Sequence, residues 1–560
     1  MATDMVLRLK KRERALYLIA AFVIAMLFTM PYFTKDLLPI EHDTHFHLSR
    51  IDGLAQAIAH GDLLPAMYPA KNNGFGYPNP LFYCDLFLYP YALLNLAGMP
   101  ISVCYKVMIL VNSMLAAYAV MCLLHRIGMK DSHAFLGALA YTFANYHITD
   151  VYVRGAVGEV QAMIFLPILL EGIYVLLYEQ ETKEWLLCAL PLAALALTHN
   201  LTLLMGVMMC ILFYLFRFNK LTTKTHKAIW KSVLFAFLLS AFFTIPMLEQ
   251  LKANTYYVDI IGKSSNLEAE ALSLHQYFTD MTIFGFSGHD LPFDQQMTLN
   301  VGYFLTFASI FYFFRKNKHP FVTTCAVLGM ICILLPCKVV PWDHLSFLRI
   351  MQFPWRFLQM GMVFLVVPAV WACKDIKKED IVTWSLCGIL IIEGICHVTP
   401  VKDRTYGMTS DMTWSDVANG AICDPYYSAT FKRIELAAGD YLPSNSPDFR
   451  TLEPVLMDQD HLPIDRELTR TYNELSFTGV QGEQIVMPLT WYKGYTVTCN
   501  GKKVECSPDM NSLVSFTVPE DGEIVCAYHS TPMRKACIAL SVISLGFLVF
   551  TESKRKHKLI

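Results

Sequence analysis

What most constrains this chain is a recurring pattern of apolar runs, each about as long as a bilayer is thick and separated from the next by polar turns. A hydrocarbon core about 30 Å thick needs about 20 helical residues at about 1.5 Å rise each. Runs of that kind fall near residues 15–33, 103–124, 133–149, 160–178, 185–198, 200–216, 228–249, 299–314, 320–338, 357–373, 381–398 and 534–550. The chain is 54% hydrophobic and 16% charged, where a soluble domain averages about 25% charged. The expected fold class is a polytopic α-helical membrane protein with about twelve transmembrane helices.

Charge placement orients the spans. The segment MVLRLKKRER precedes the first run, Ala15 to Phe33, which ends in MPYFTKDLLP without a small-residue cleavage site. It reads as a retained span with a cytoplasmic basic flank rather than a removed leader. Basic loops at 125–130, 179–184, 217–227, 315–319 and 374–380 and the tail KRKHK at 554–558 fit the cytoplasmic side. With both termini there, the span count is even. The run Leu81–Ala97 carries Asp85 and Pro90 and reaches only about 26 Å as a helix. It is read as an interfacial helix at the outer leaflet, because counting it as a span would invert every basic loop after it.

Three parts follow: a transmembrane domain over 1–399 with a first outer loop at 34–102, an extracytoplasmic β-rich domain over 400–531, and a final helix with a basic tail over 532–560. The second part is polar and turn-rich, and its last strands alternate around the hairpin signal CNGKK. Of 16 cysteines, Cys423, Cys499, Cys506 and Cys526 lie in this polar region. None has zinc-like spacing, and a Cys499–Cys506 disulfide is open. A net charge of −2 gives no basic surface for nucleic acid.

On this threading the ionisable residues gather at the outer face: Glu41, Asp43, His45, His47 and Arg50 in EHDTHFHLSR, Arg154 and Glu159 in VYVRGAVGEV, His199 in LTHN, and Arg349 and Arg356 in FLRIMQFPWRF. Charges near a membrane are costly and usually functional. Asp43, His47 and Arg50 stand at i, i+4 and i+7, one face of a helix. Thr44 to His60 reads as an amphipathic helix lying on the membrane surface. A carboxylate can take a proton from a hydroxyl, and a guanidinium binds phosphate with two parallel hydrogen bonds. Ordinary roles compete. Asp43 suits an N-cap, Arg154 and Glu159 a loop ion pair, His199 a helix cap, and Arg356 the aromatic belt.

The combination of the acidic first loop, GYPNPLFY, RGAVGEV, LTHN, FPWRF and the strands around PLTWYKGYTVTCNGKKV resembles the bacterial YfhO-like membrane proteins of the GT-C glycosyltransferase superfamily. The resemblance covers nearly the whole chain. It implies a membrane enzyme of the bacterial cytoplasmic membrane that moves a sugar from a polyprenyl-phosphate-linked donor to an extracytoplasmic acceptor, such as a cell-wall polymer, lipid or glycan. By position it implies Asp43 as the catalytic base. Donor phosphate binding falls to Arg50, Arg154 and Arg356, with His47, Glu159 and His199 around the substrate. No organic cofactor is expected. A divalent metal is open, with Glu41 or Glu159 as the candidate second carboxylate. Two other classes share the same outer face, a transporter or flippase of lipid-linked saccharides and a non-catalytic membrane scaffold. A transporter should carry polar groups at the midplane, and few such residues occur here.

Overall fold

The computed structural model describes residues 11–34, 38, 41–264, 266–282, 297–399, 439–449 and 452–557. Residues 400–438, which include the expected start of the β-rich domain and Cys423, lie outside the described residues.

Helices form where the apolar runs are. Eight are long and apolar enough to cross a membrane: Arg12–Phe33, Ile101–Arg126, Val157–Glu179, Asn200–Lys220, Thr223–Leu251, Pro354–Ala372, Glu379–Val398 and Pro532–Lys554. The remaining expected spans are helical but shorter, as at Asp131–Thr142, Leu186–Ala196 and Pro320–Leu334. The apolar stretch Leu86–Leu96 is a short helix, too short to span. Leu86, Leu93 and Leu96 are exposed while Tyr91 and Ala92 are buried, so one side of the helix faces away from the protein. The hairpin expected at Thr198–Asn200 is present: α1 (Leu186–Ala196) stops at a turn and α2 (Asn200–Arg217) starts beyond it. Packing pairs Ile101–Arg126 with the first helix and with Val157–Tyr174, Pro320–Leu334 with Phe357–Ala372, and Thr223–Leu251 with the final helix.

One expectation about the first loop is corrected. The helix over Thr44–Ala59 does form, but it is buried within the protein rather than surface-lying. Leu48, Arg50, Ile51 and Leu54 are all buried, because the helix is packed between Tyr89–Leu96 and Ile101–Arg126. Alternating polarity in the sequence does not reveal that a second element covers the polar side too.

The C-terminal region folds into two antiparallel sheets. Strands β1 (Thr469–Arg470), β2 (Glu474–Gly479), β3 (Gln484–Thr490), β4 (Tyr495–Cys499), β5 (Lys502–Val504), β6 (Ser507–Pro508), β7 (Leu513–Thr517) and β8 (Gly522–Tyr528) give the orders β1-β2-β8-β4-β5 and β3-β7-β6. The expected hairpin at Asn500-Gly501 joins β4 to β5, with Cys499 opposite Lys502. Alternate residues such as Phe477, Ile485, Val497, Phe516 and Ile524 fill the core between the sheets. Cys499 and Cys506 are free thiols, not a disulfide. Hydrogen bonds tie the sheets to the rest of the protein. Thr490 N–H donates to Phe75 O at 2.8 Å, and Gln250 Nε2 at the end of Thr223–Leu251 donates to Lys493 O at 2.7 Å.

Candidate active site

A cavity of about 830 Å³ opens where the first loop meets the ends of several helices. Such a volume is within the range of small-molecule sites. The segment after the first helix is drawn into it by backbone pairing: His42 N–H donates to Val153 O at 3.0 Å and Asp43 N–H to Arg154 O at 2.8 Å. Two glycines of RGAVGEV permit this closeness. Gly155 ends a π-helical turn, Asp150–Arg154, with φ +59°, and a Cβ there would lie 2.7 Å from Thr44 Oγ1 and 2.8 Å from Glu41 Oε2. A Cβ on Gly158 would fall 1.7 Å from the Tyr83 hydroxyl. The motif is therefore a packing surface for the acidic loop and the aromatic segment after it.

Asp43 lines the cavity. It occupies the N-cap position of the Thr44 helix but makes no capping hydrogen bond, and it has no ion-pair partner among the described residues. Its surroundings disfavour the charge, so its carboxyl rises from 3.8 to about 6. Arg154 and Arg356 pull it down, and Asp440 and Glu159 push it up.

Around it stands a pre-formed cationic frame. Glu159, in the first turn of Val157–Tyr174, accepts from Arg154 Nη2 and from Arg356 Nε on the same Oε1, each at 3.0 Å. Arg154 also donates to Asp150, and its guanidinium lies 4.5 Å from the Trp355 ring centre. Arg356 is fixed further by Met351 O at 2.8 Å and Gln352 Oε1 at 2.6 Å. Its Nη2 makes no hydrogen bond among the described residues. Arg349 lines the same cavity, is exposed, and has no carboxylate partner among the described residues.

His199 does cap a helix: its Nδ1 lies 3.3 Å from Thr202 N and 2.8 Å from Thr202 Oγ1. It also lines the cavity. Burial lowers its pKa to about 4 against the opposing pull of Glu159, so the ring is neutral near pH 7. Thr202 Oγ1 donates to Gln359 Oε1 at 2.9 Å, and Gln359 Nε2 donates to Glu159 O at 2.9 Å. These side chains tie the LTHN turn, RGAVGEV and the helix after FPWRF into one network.

Of the other sequence candidates, His45 and His47 line the cavity while Arg50 and Glu41 do not. Arg50 is buried and paired with Asp85 at 2.7 Å, and its Nη1 lies 3.0 Å from His47 Nδ1. Its charge is already spent on holding the Leu81–Leu88 segment, which removes it from the phosphate-facing set. The i, i+3 contact between His47 and Arg50 does hold, but Asp43 stands apart from it. Glu41 is buried and accepts from the hydroxyls of Tyr32, Thr44 and Tyr105. Burial pushes it up to about 7 although all three hydroxyls lower it. Glu41 faces three hydroxyls, and Glu159 faces two guanidiniums that would repel a cation. No group of three or more His, Cys, Asp or Glu suited to a metal occurs among the described residues.

Sequence reasoning missed Asp440, which lines the cavity from the far side, and Gln359. Asp440 is separated from the rest by residues whose pattern carries no site signal. Asp85, the acid inside an apolar run, was visible in the sequence but its partner Arg50 was not.

Fold and site together define a polytopic membrane protein with a charged cavity and a small β-domain. Residues 81–401 match the family described as 6-pyruvoyl-tetrahydropterin synthase related domain; membrane protein, and the chain belongs to that family. A protein of Lactococcus lactis subsp. cremoris (strain MG1363), described as uncharacterized, is 23% identical over 344 residues, which are 60% of this chain and 55% of the relative. The chain thus spans about half the length of the curated relative it matches. Cryo-EM structures of the mycobacterial arabinofuranosyltransferase AftD and of a mutant of it align at 12% identity with TM-scores of 0.45, over 73% of this chain and 28% and 30% of theirs.

Proposed function

We propose that this chain is an inverting membrane glycosyltransferase that takes a sugar from a polyprenyl-phosphate-linked donor and passes it to an extracytoplasmic acceptor, with the cavity and the β-domain on the extracytoplasmic side. One observation carries the reading: Asp43 faces a large cavity without a cap or ion-pair partner, across from arginines held in fixed geometry by Glu159.

The chemistry follows from the charges. Asp43 accepts the proton of an acceptor hydroxyl as that oxygen forms a bond to the anomeric carbon. The bond from that carbon to the phosphate oxygen breaks, and polyprenyl phosphate leaves with the electron pair. Arg349 and the uncommitted N–H groups of Arg356 face the growing phosphate charge, and Arg154 adds its field. Glu159 keeps both buried guanidiniums aligned before substrate arrives, so little reorganisation is needed in the transition state. His199, neutral, offers a ring nitrogen for hydrogen bonding to the substrate. The lipid-facing wall of the cavity is apolar, with Phe243, Met247 and Leu251, and suits the first isoprene units.

The test is transfer from a synthetic polyprenyl-phosphate sugar by the purified chain in lipid nanodiscs, compared with Asp43→Asn. A loss of about 10²–10⁴-fold in kcat is expected for a positioned base. Wild-type turnover by Asp43→Asn rejects this assignment. Donor passage across the bilayer without transfer supports the flippase class instead.

A further inference from the structure

A second cavity, of about 300 Å³, lies where the first loop, the edge of the five-stranded sheet and the start of the final helix meet. Its size is at the lower end of ligand sites, and its lining differs from the first. Tyr472, Tyr495 and Tyr528 supply ring faces, and Arg470, Arg534, Asp62 and Glu474 supply charge. Arg470 Nη1 donates to Gly74 O at 2.7 Å, and Arg534 Nη2 donates to Leu64 O at 2.8 Å. Neither guanidinium has a carboxylate within ion-pair distance among the described residues, and Glu474 has no cation. The Tyr472 ring is held parallel to His60 at 4.3 Å, and its hydroxyl is buried with no hydrogen-bond partner among the described residues.

Rigid ring faces beside planar, incompletely satisfied polar groups suit a ligand with apolar C–H faces and many hydroxyls. They do not suit a lipid tail, which would strand both guanidiniums. A chain of polar contacts links the two cavities. Tyr68, between two residues of the second cavity, donates to Asp85 Oδ2 at 2.5 Å; Asp85 holds Arg50, and Arg50 reaches His47 of the first.

We propose that the second cavity is a saccharide site that holds the part of an acceptor glycan lying beyond the reacting sugar. Its naming as an acceptor site rests on the transferase reading above; saccharide binding there does not. Arg470 and Arg534 can hold a carboxylate of an acidic glycan, while Asp62 and Glu474 can accept from its hydroxyls.

The experiment measures binding of tetragalacturonate and of maltotetraose to the full chain in nanodiscs by saturation-transfer NMR and calorimetry. Three proteins are compared: wild type, Asp43→Asn, and Asn473→Trp, which places a large ring in the cavity from an exposed turn. Saturable tetragalacturonate binding is expected, equal in Asp43→Asn and at least about tenfold weaker in Asn473→Trp. Tyr472→Phe, which removes only the buried hydroxyl, should weaken it without altering the unfolding temperature. Maltotetraose binding with the same losses supports a saccharide site for neutral glycans. Absence of binding by both sugars, or equal binding by Asn473→Trp, overturns the proposal. If Asp43→Asn transfers sugar normally, only the Asp43 assignment fails; if the wild type transfers no sugar while Asn473→Trp loses binding, the transferase reading fails and the saccharide site stands.

Discussion

Arg356 Nε reaches Glu159 Oε1 at 3.0 Å across 197 positions of sequence, and that oxygen also receives Arg154 at 3.0 Å. One carboxylate balances two guanidiniums at a buried cavity wall. Removing the carboxylate leaves two buried like charges facing each other. Breaking a buried pair by deleting one partner costs about 3–5 kcal/mol. Glu159→Ala should lower the unfolding temperature in detergent more than Arg356→Ala does. Equal, small shifts in the two variants would mean that water already screens the cluster.

Asp43 sets the expected pH profile. Its carboxyl is raised to about 6, and a base works only when deprotonated. Turnover should climb with pH and level off above about 6. His199, lowered to about 4, should add no limb near neutrality. The stability sign is opposite. The folded carboxyl holds its proton to higher pH than the unfolded one, so its contribution is full below about 3.8 and is lost as pH rises through about 6. Asp43→Asn should therefore unfold at a higher temperature than wild type at pH 8 and at the same temperature at pH 3.5. A variant that is less stable at pH 8 contradicts this.

The Gly155 position tests the seating of the acidic loop. A methyl group there meets Thr44 and Glu41 inside 3 Å at a positive φ. Gly155→Ala should cost about 1–3 kcal/mol and reduce turnover sharply, since the displaced segment carries Asp43. Hydrogen exchange over 41–44 should rise in this variant, and unchanged protection would show that the loop is held without the close approach.

Gly158→Ala collides with the Tyr83 hydroxyl. The pair Gly158→Ala with Tyr83→Phe should regain part of the lost stability, because the nearest clashing atom is gone. A double variant no better than the single one would place the clash elsewhere. Tyr83→Phe alone should be close to neutral in stability.

Arg349 has no carboxylate to hold among the described residues, so Arg349→Ala should leave the unfolding temperature within about 1 °C, as surface changes usually do. The donor KM should rise with little change for the acceptor. A stability loss like that of Arg356→Ala would show that Arg349 is structural.

The sequence by itself determined the membrane class, the helical hairpin at LTHN, a non-spanning apolar segment over 81–97, the β-hairpin at CNGKK and the set of unusual charges. Each of these is written in local physics: run length against bilayer thickness, a breaker between two runs, alternation, or the cost of charge beside lipid. Which charges remain available was decided only by tertiary structure. Asp43, His47 and Arg50 share a spacing, yet Arg50 is consumed by Asp85 and Glu41 by three hydroxyls, while Asp43 keeps an open face. Pairing of that kind depends on distances between segments far apart in the chain. Spacing within one helix carries no record of them, and for the same reason Asp440 and the cavity under the sheet edge were invisible until the fold brought their walls together.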